Sequence, residues 1–167
     1  TERLKADGYD MDEIGHKLCV NYMKQVLDDG FFHADPHPGN LLIRGGQIVW
    51  LDLGMVGRLS KKDQQAFRKA ASAAVARDTG GMVDAVLTIG KHTHPIDREA
   101  LYADVDTMLA EYMEKDLSAI DLASTIEQVL ELAKKHKISM PSGVTMLGRG
   151  ITTIEGLIAD ICPPINI

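Results

Sequence analysis

Residues 31–54, F-F-H-A-D-P-H-P-G-N-L-L-I-R-G-G-Q-I-V-W-L-D-L-G, leave the chain little local freedom in how to fold. Two apolar runs, 41–44 and 47–51, are separated by Gly45-Gly46. A Gly-Gly pair between such runs predicts a two-residue β-hairpin turn with positive φ at both positions. The hairpin reverses the chain, so Asn40 at its start and Asp52 at its end become neighbours. Two oxygen ligands twelve residues apart in sequence can then share one hard cation. Asp35 stands five residues before Asn40, in the octet H-A-D-P-H-P-G-N. Two prolines and a glycine hold that loop to few conformations.

Asp and Asn beside strands are ordinarily turn residues, and Asp-x-Gly alone is a weak signal. The combination is more specific. H-x-D-x-x-x-x-N followed by Asp52-Leu53-Gly54 has the spacing of a kinase catalytic loop and its metal-binding triplet. Phosphoryl transfer needs a carboxylate near the incoming hydroxyl and oxygen ligands for Mg²⁺ bridging the phosphates of ATP. Asp35 fits the first task, and Asn40 and Asp52 the second. His33 and His37 join Asp35 in the catalytic set as supports, and Gly54 closes the cofactor-binding set with Asn40 and Asp52. His33, Asp35 and His37 also alternate, as in a transition-metal site. Pro36 and Pro38 bend the loop against that alternation, which would leave Asn40 and Asp52 unexplained.

H-A-D-P-H-P-G-N followed by L-D-L-G-M-V-G-R-L-S resembles the UbiB/ADCK family of atypical kinases. Met140-Pro141, Leu147-x-Arg149 and Glu155-Gly156-Leu157 resemble that family's closing helix. The resemblance covers most of the chain and implies the C-terminal lobe of a kinase-like fold, with ATP and Mg²⁺ as cofactors. It implies a role in isoprenoid-quinone or lipid metabolism. His33 matches the kinase histidine that packs toward the metal triplet. His37 stands where protein kinases often carry lysine, a departure shared with small-molecule phosphotransferases. No Gly- or Ala-rich phosphate loop, strand lysine or partner glutamate occurs here, so the N-lobe of the same protein is expected outside this chain.

At 167 residues the chain can bury one core, and residues 1–167 are expected to form a single domain. A net charge of −6 and the lack of a basic cluster argue against a nucleic-acid partner. No apolar run is long enough to span a bilayer. Cys19 and Cys162 read as reduced, packed thiols of a cytoplasmic compartment. Membrane association is expected only peripherally, through regions outside this chain. Thr1 opens inside a polar run and reads as the start of a fragment.

A helical majority is expected around the hairpin: mainly α, with one small β-hairpin carrying the catalytic loop. After a loose lead-in to Tyr9, Asp10 caps a helix with Ile14, Leu18, Tyr22 and Val26 on one face, ending at Gly30. Ser60 and Asp63 start a helix that packs through Phe67, Ala71, Ala74 and Val75. A short helix runs from Met82 to Ile89. Asp97 caps the next, with Leu101, Val105, Met108, Leu109 and Tyr112 inward. Ser118 to Asp121 opens another, with Leu122, Ile126, Val129, Leu130 and Ala133 inward and Lys134 to Lys137 matched to its dipole. Pro141 starts a last helix carrying Val144, Leu147, Ile151, Ile154 and Ile158, which Cys162-Pro163-Pro164 ends. Gly143, Gly148, Gly150 and Gly156 in it predict close backbone contact with another element, the lobe outside this chain being one candidate.

Helix follows the Asp52 triplet almost at once, and no A-P-E-like motif intervenes. The platform that holds a peptide is missing, so the expected partners are a nucleotide and a small-molecule or lipid acceptor. An aminoglycoside- or choline-type phosphotransferase, a nucleotide-binding pseudokinase and a metal-dependent hydrolase using His33, Asp35 and His37 are the alternatives. The isolated fragment is expected to fold with little or no turnover.

Overall fold

The computed structural model describes residues 2–113 and 122–162. Its element order is α1 Glu2–Ala6, α2 Met11–Lys24, β1 Phe31–His33, β2 Leu41–Arg44, β3 Gln47–Trp50, β4 Val56–Arg58, α3 Lys61–Ala76, α4 Thr79–Ile89, α5 Arg98–Met113, α6 Leu122–Lys135 and α7 Ser142–Ile161. The protein is mainly α. Among the described residues no helix is long and apolar enough to cross a membrane.

The polar lead-in is not loose throughout, since α1 forms there. Asp10 caps α2 by accepting from the N–H groups of Asp12 and Glu13. Ile14, Leu18, Tyr22 and Val26 are buried along its inner face. The helix then widens into one π-helical turn over Gln25–Asp29 and stops at Gly30, whose φ is 64°. The hairpin pairs β2 with β3, Leu41 opposite Trp50 and Arg44 opposite Gln47. Gly45 and Gly46 have φ of 57° and 74°, the turn that the twist of the strands requires. A second ladder pairs β1 with β4, Phe32 opposite Gly57, which adds to the single hairpin expected. Its strands are three residues each, too short to show a period in sequence.

Two apolar clusters organise the helices. One joins α2 and α7 with Phe32 and Leu59; the other joins α3, α4, α5 and α6 around Leu101, Val105 and Ala133. Met140 packs against both. Lys91 and Ser139 exchange backbone hydrogen bonds of 2.8 and 2.7 Å, tying the α4–α5 and α6–α7 connections together.

Several inward positions are corrected. On α3, Ala71 is exposed and Val75 is 81% exposed; Gln64, Ala66 and Ala73 are buried instead. Gln64 turns inward against Gly30, and Ala73 because α4, which starts at Thr79 rather than Met82, brings Gly81 against it. Arg77 makes the reversal with a φ of 59°, so no glycine marks it. The opening of α6 at Ser118 to Asp121 lies outside the described residues. Glu155 of α7 accepts from the N–H groups of Leu122 and Ala123 at 2.9 and 3.0 Å, satisfying that helix end from another element. Lys135 and His136 do more than match a dipole. Both close on Asp104 of α5, at 2.7 and 2.6 Å.

Gly143, Gly148 and Gly150 of α7 lie against other elements of this chain. A Cβ at Gly143 would overlap the carbonyl of Arg58, and one at Gly150 would overlap the Tyr22 hydroxyl. Gly156 faces open space. Gly143→Ala is expected to cost about 1–3 kcal/mol by forcing backbone apart. Gly156→Ala should gain up to about 1 kcal/mol by helix propensity. Urea unfolding of the two variants checks the opposite signs. The Lys135 and His136 hydrogen bonds hold the Asp104 carboxyl below the usual carboxylate range, Lys135 contributing most. A lowered carboxylate stabilises above its ordinary pKa and loses that contribution as pH falls through its folded value. Asp104→Asn should therefore lower Tm at neutral pH and flatten its decline on acidification, measured by a Tm series from neutral pH downward.

Candidate functional site

Leu51 joins the two arms of the site. Its N–H donates to the carbonyl of Asn40 at 2.8 Å, continuing the β2–β3 ladder by one residue. Its carbonyl accepts from the His33 ring at 2.9 Å. Asp52 follows directly, with a φ of 49°, a left-handed conformation that Asp tolerates better than most residues. One of its carboxylate oxygens accepts from Gly54 N–H at 3.2 Å, an Asx turn. The carboxylate is exposed.

Asn40 is buried and its amide is oriented by the loop. Nδ2 donates to the carbonyl of Asp35 at 3.0 Å, so Oδ1 faces away from that bond with no hydrogen bond to any described residue. A neutral amide oxygen and a carboxylate at the two ends of one hairpin are a hard donor set, which fits Mg²⁺ better than a soft metal. Asp35, half-buried, shares the loop with Asn40. The Nε2 of His37 stands 3.8 Å from an Asp35 carboxylate oxygen, while its Nδ1 accepts from Gly39 N–H at 3.0 Å. With Nδ1 accepting, the proton of the neutral ring sits on Nε2 and faces Asp35.

His33 is 2% exposed and both of its ring nitrogens are committed to the backbone. Asp35 N–H donates to Nδ1 at 3.2 Å, which puts the ring proton on Nε2, where it reaches Leu51. Placed above among the catalytic residues, it cannot touch a substrate; it holds the two arms together. For the same reason His33, Asp35 and His37 do not form a transition-metal site. Among the described residues no group of three His, Cys, Asp or Glu side chains is arranged to hold a metal ion. His92 and His94 remain in an exposed loop, where His92 bonds the carbonyl of His94.

Residues that the periodicity assigns simply to a helix prove to carry the loop. Tyr22, buried, donates its hydroxyl to the carbonyl of His33 at 2.9 Å, and burial pushes its phenol well above the usual range. Gln25 accepts from His33 N–H at 3.0 Å, and Asn21 accepts from the Trp50 indole at 2.8 Å. The available signal was a polar pair four residues apart beside the apolar face of α2. Around Asp52 the side chains of Leu51, Leu53 and Met55 are exposed, with Leu42 of β2. A groove of about 650 Å³ between α4 and α5 is lined by Val83, Asp84, Arg98 and Tyr102. Its arginine is paired with Asp84, so it offers no free cation to a phosphate, and the loop remains the better candidate.

The family model described as an ABC1 atypical kinase-like domain matches residues 1–86, and that of a UbiB helical domain matches residues 105–166. An uncharacterized Clostridium pasteurianum protein from a hydrogenase 1 5′ region is 36% identical over 99% of this chain and 31% of its own length. An uncharacterized Synechocystis protein is 28% identical over 86% of this chain and 36% of its own length. A probable protein kinase UbiB of Xylella fastidiosa is 26% identical over 98% of this chain and 31% of its own length. The chain thus spans about a third of these relatives. No solved structure matches.

His33→Leu removes the bonds to Leu51 and Asp35 and leaves their backbone groups to find water. The expected loss is about 1–3 kcal/mol of stability, read by urea unfolding followed through Trp50 emission.

Proposed function

The chain belongs to the ABC1 atypical kinase-like family, and from that membership we propose that it supplies the base and metal-holding side of an ATP- and Mg²⁺-dependent phosphoryl-transfer site. The observation that carries the reading is Asn40. Its amide binds the backbone carbonyl of Asp35, and its own backbone carbonyl binds the N–H of Leu51, the residue before Asp52, so one residue ties together the backbone segments that carry all three candidate side chains.

In this reading Asn40 Oδ1 and the free Asp52 carboxylate oxygen hold the cation. Mg²⁺, when bound there, would neutralise charge on the bridging phosphates. Asp35 takes the proton of the acceptor hydroxyl as its oxygen forms a bond to the γ-phosphorus and ADP leaves with the broken P–O bond. His37 faces Asp35 and orients it. The run from Gly54 to the start of α3 at Lys61 is short, and β4 within it is paired back to β1. Little chain is left to build a peptide platform, which favours a small-molecule or lipid acceptor, or water. We read the biological context as isoprenoid-quinone metabolism, in a cytosol-like compartment or peripherally at a membrane. The exposed Leu42, Leu51, Leu53 and Met55 beside Asp52 are where we place the N-lobe, with residues 1–167 as one C-terminal lobe.

Mn²⁺, a spectroscopic substitute for Mg²⁺, tests the site directly. Water-proton relaxation should report Mn²⁺ bound to the chain, and Asp52→Asn should weaken that binding at least tenfold, on the order expected for losing a charged ligand. In the full-length protein Asp35→Asn should keep nucleotide binding and lower transfer by about 10²–10⁴-fold. Unchanged Mn²⁺ binding in Asp52→Asn would refute the metal assignment. Unchanged turnover in Asp35→Asn would leave a nucleotide-binding module instead.

A further inference from the structure

Three polar residues at four-residue steps along α2 and into its π-helical turn each grip the site's scaffold at a different height. Lys17 donates to the carbonyl of Gly46 at the hairpin tip, at 3.0 Å. Asn21 Oδ1 accepts from the indole N–H of Trp50, two residues before Asp52, at 2.8 Å. Gln25 Oε1 accepts from the N–H of His33, two residues before Asp35, at 3.0 Å. Asn21 and Gln25 are themselves joined, Gln25 Nε2 donating to Asn21 Oδ1 at 3.1 Å. An unbroken path therefore runs from Trp50 through Asn21 and Gln25 to His33. The apolar face of α2 is buried by the core, so the helix is a fixed reference for both arms. The π-helical turn begins at Gln25, and single turns of this kind inside α-helices are frequent at functional sites.

We propose that this stripe is a spacer that sets the separation of the Asp35 arm from the Asp52 arm, and that Asn21 at its centre is a positioning residue for the cation site. The proposal rests on the reading of Asn40 and Asp52 as divalent-cation ligands. Asn21 touches neither ligand. It acts through Trp50, whose ring is further confined between His33 and Tyr22 at centroid distances of 5.7 and 6.0 Å. Its one oxygen accepts from Trp50 of β3 and from Gln25, whose own oxygen accepts from His33 N–H, so the two arms are joined through the helix by consecutive hydrogen bonds. Supporting partners of this kind commonly change metal affinity about 10- to 100-fold when lost.

Trp50 is the sole tryptophan, so its emission reports the indole hydrogen bond without labelling. Mn²⁺ affinity by proton relaxation, Trp50 emission and Tm are to be measured on the 167-residue chain and its variants. Asn21→Asp keeps an oxygen that accepts from both donors and should bind Mn²⁺ within a few-fold of wild type. Asn21→Leu removes the acceptor and should shift Trp50 emission and weaken Mn²⁺ about 10- to 100-fold. Trp50→Phe keeps a ring and removes the donor, and should weaken Mn²⁺ likewise, which covers the case of an Asn21→Leu chain that does not fold. Leu132→Ala, in the other apolar cluster, should lower Tm without changing Mn²⁺ affinity, separating positioning from general loss of stability. Wild-type Mn²⁺ affinity in folded Asn21→Leu or in Trp50→Phe, with Asp52→Asn impaired, overturns the spacer and leaves the cation site standing. Equal affinity in wild type and Asp52→Asn overturns both.

Discussion

The backbone of Leu51 is where the loop from His33 to Asn40 and the strand after it become one object. Its N–H is taken by Asn40 and its carbonyl by His33, so a residue with an exposed side chain contributes through its backbone. The second bond needs a buried histidine of fixed tautomer, and the tautomer is fixed by Asp35 N–H donating to Nδ1. Three residues from two arms are thus held by donor and acceptor assignments that admit no second arrangement. A net hydrogen bond contributes only about 1 kcal/mol. What matters here is that each misassignment would leave a backbone group unpaired beside a buried ring.

The helices make this possible by standing still. Tyr22 connects the loop to α7: its hydroxyl meets His33 on one side and the bare backbone of Gly150 on the other. An aromatic residue with two rotatable bonds, buried to 1% exposure, transmits the position of α7 to the loop with little slack. Glu155, five residues further along α7, caps α6 and so fixes the second apolar cluster against the first. One helix therefore registers both halves of the chain. Gly143 and Gly150 on it are contact points first and helix residues second.

Sequence spacing made the hairpin, the loop and the candidate ligands legible, because turn chemistry and donor type are local properties. Gly45-Gly46 could do little else between two apolar runs. The helices were legible where one face is apolar, as in α5 and α7. They were misread where small residues carry the contact: on α3, Ala71 and Val75 look inward by period, but the approach of α4 selects Ala66 and Ala73. The β1–β4 ladder was hidden because three-residue strands carry no pattern. The polar stripe of α2 was hidden for a different reason. Asn21 and Gln25 have no distinctive meaning until the hairpin folds back and gives them Trp50 and His33 to hold.

Asp52 shows why the local and the long-range constraints need each other. A non-glycine residue at positive φ carries a cost of about 1 kcal/mol or more, and such strain persists only where the surroundings over-determine it. Here the Asx turn to Gly54 repays part of that cost locally, and Gly54 suits it because a Cβ there would press to 3.0 Å on the same carboxylate oxygen. The remainder is covered from afar, by the Leu51 bonds that fix the peptide before Asp52 and the β1–β4 pairing that takes up the chain four residues after it. A left-handed residue between two anchored strands turns its carboxylate out of the ladder and into the open. A residue in extended conformation would have continued β3 and kept its side chain on the sheet. The strain is the means by which a hairpin end presents a carboxylate beyond its own edge.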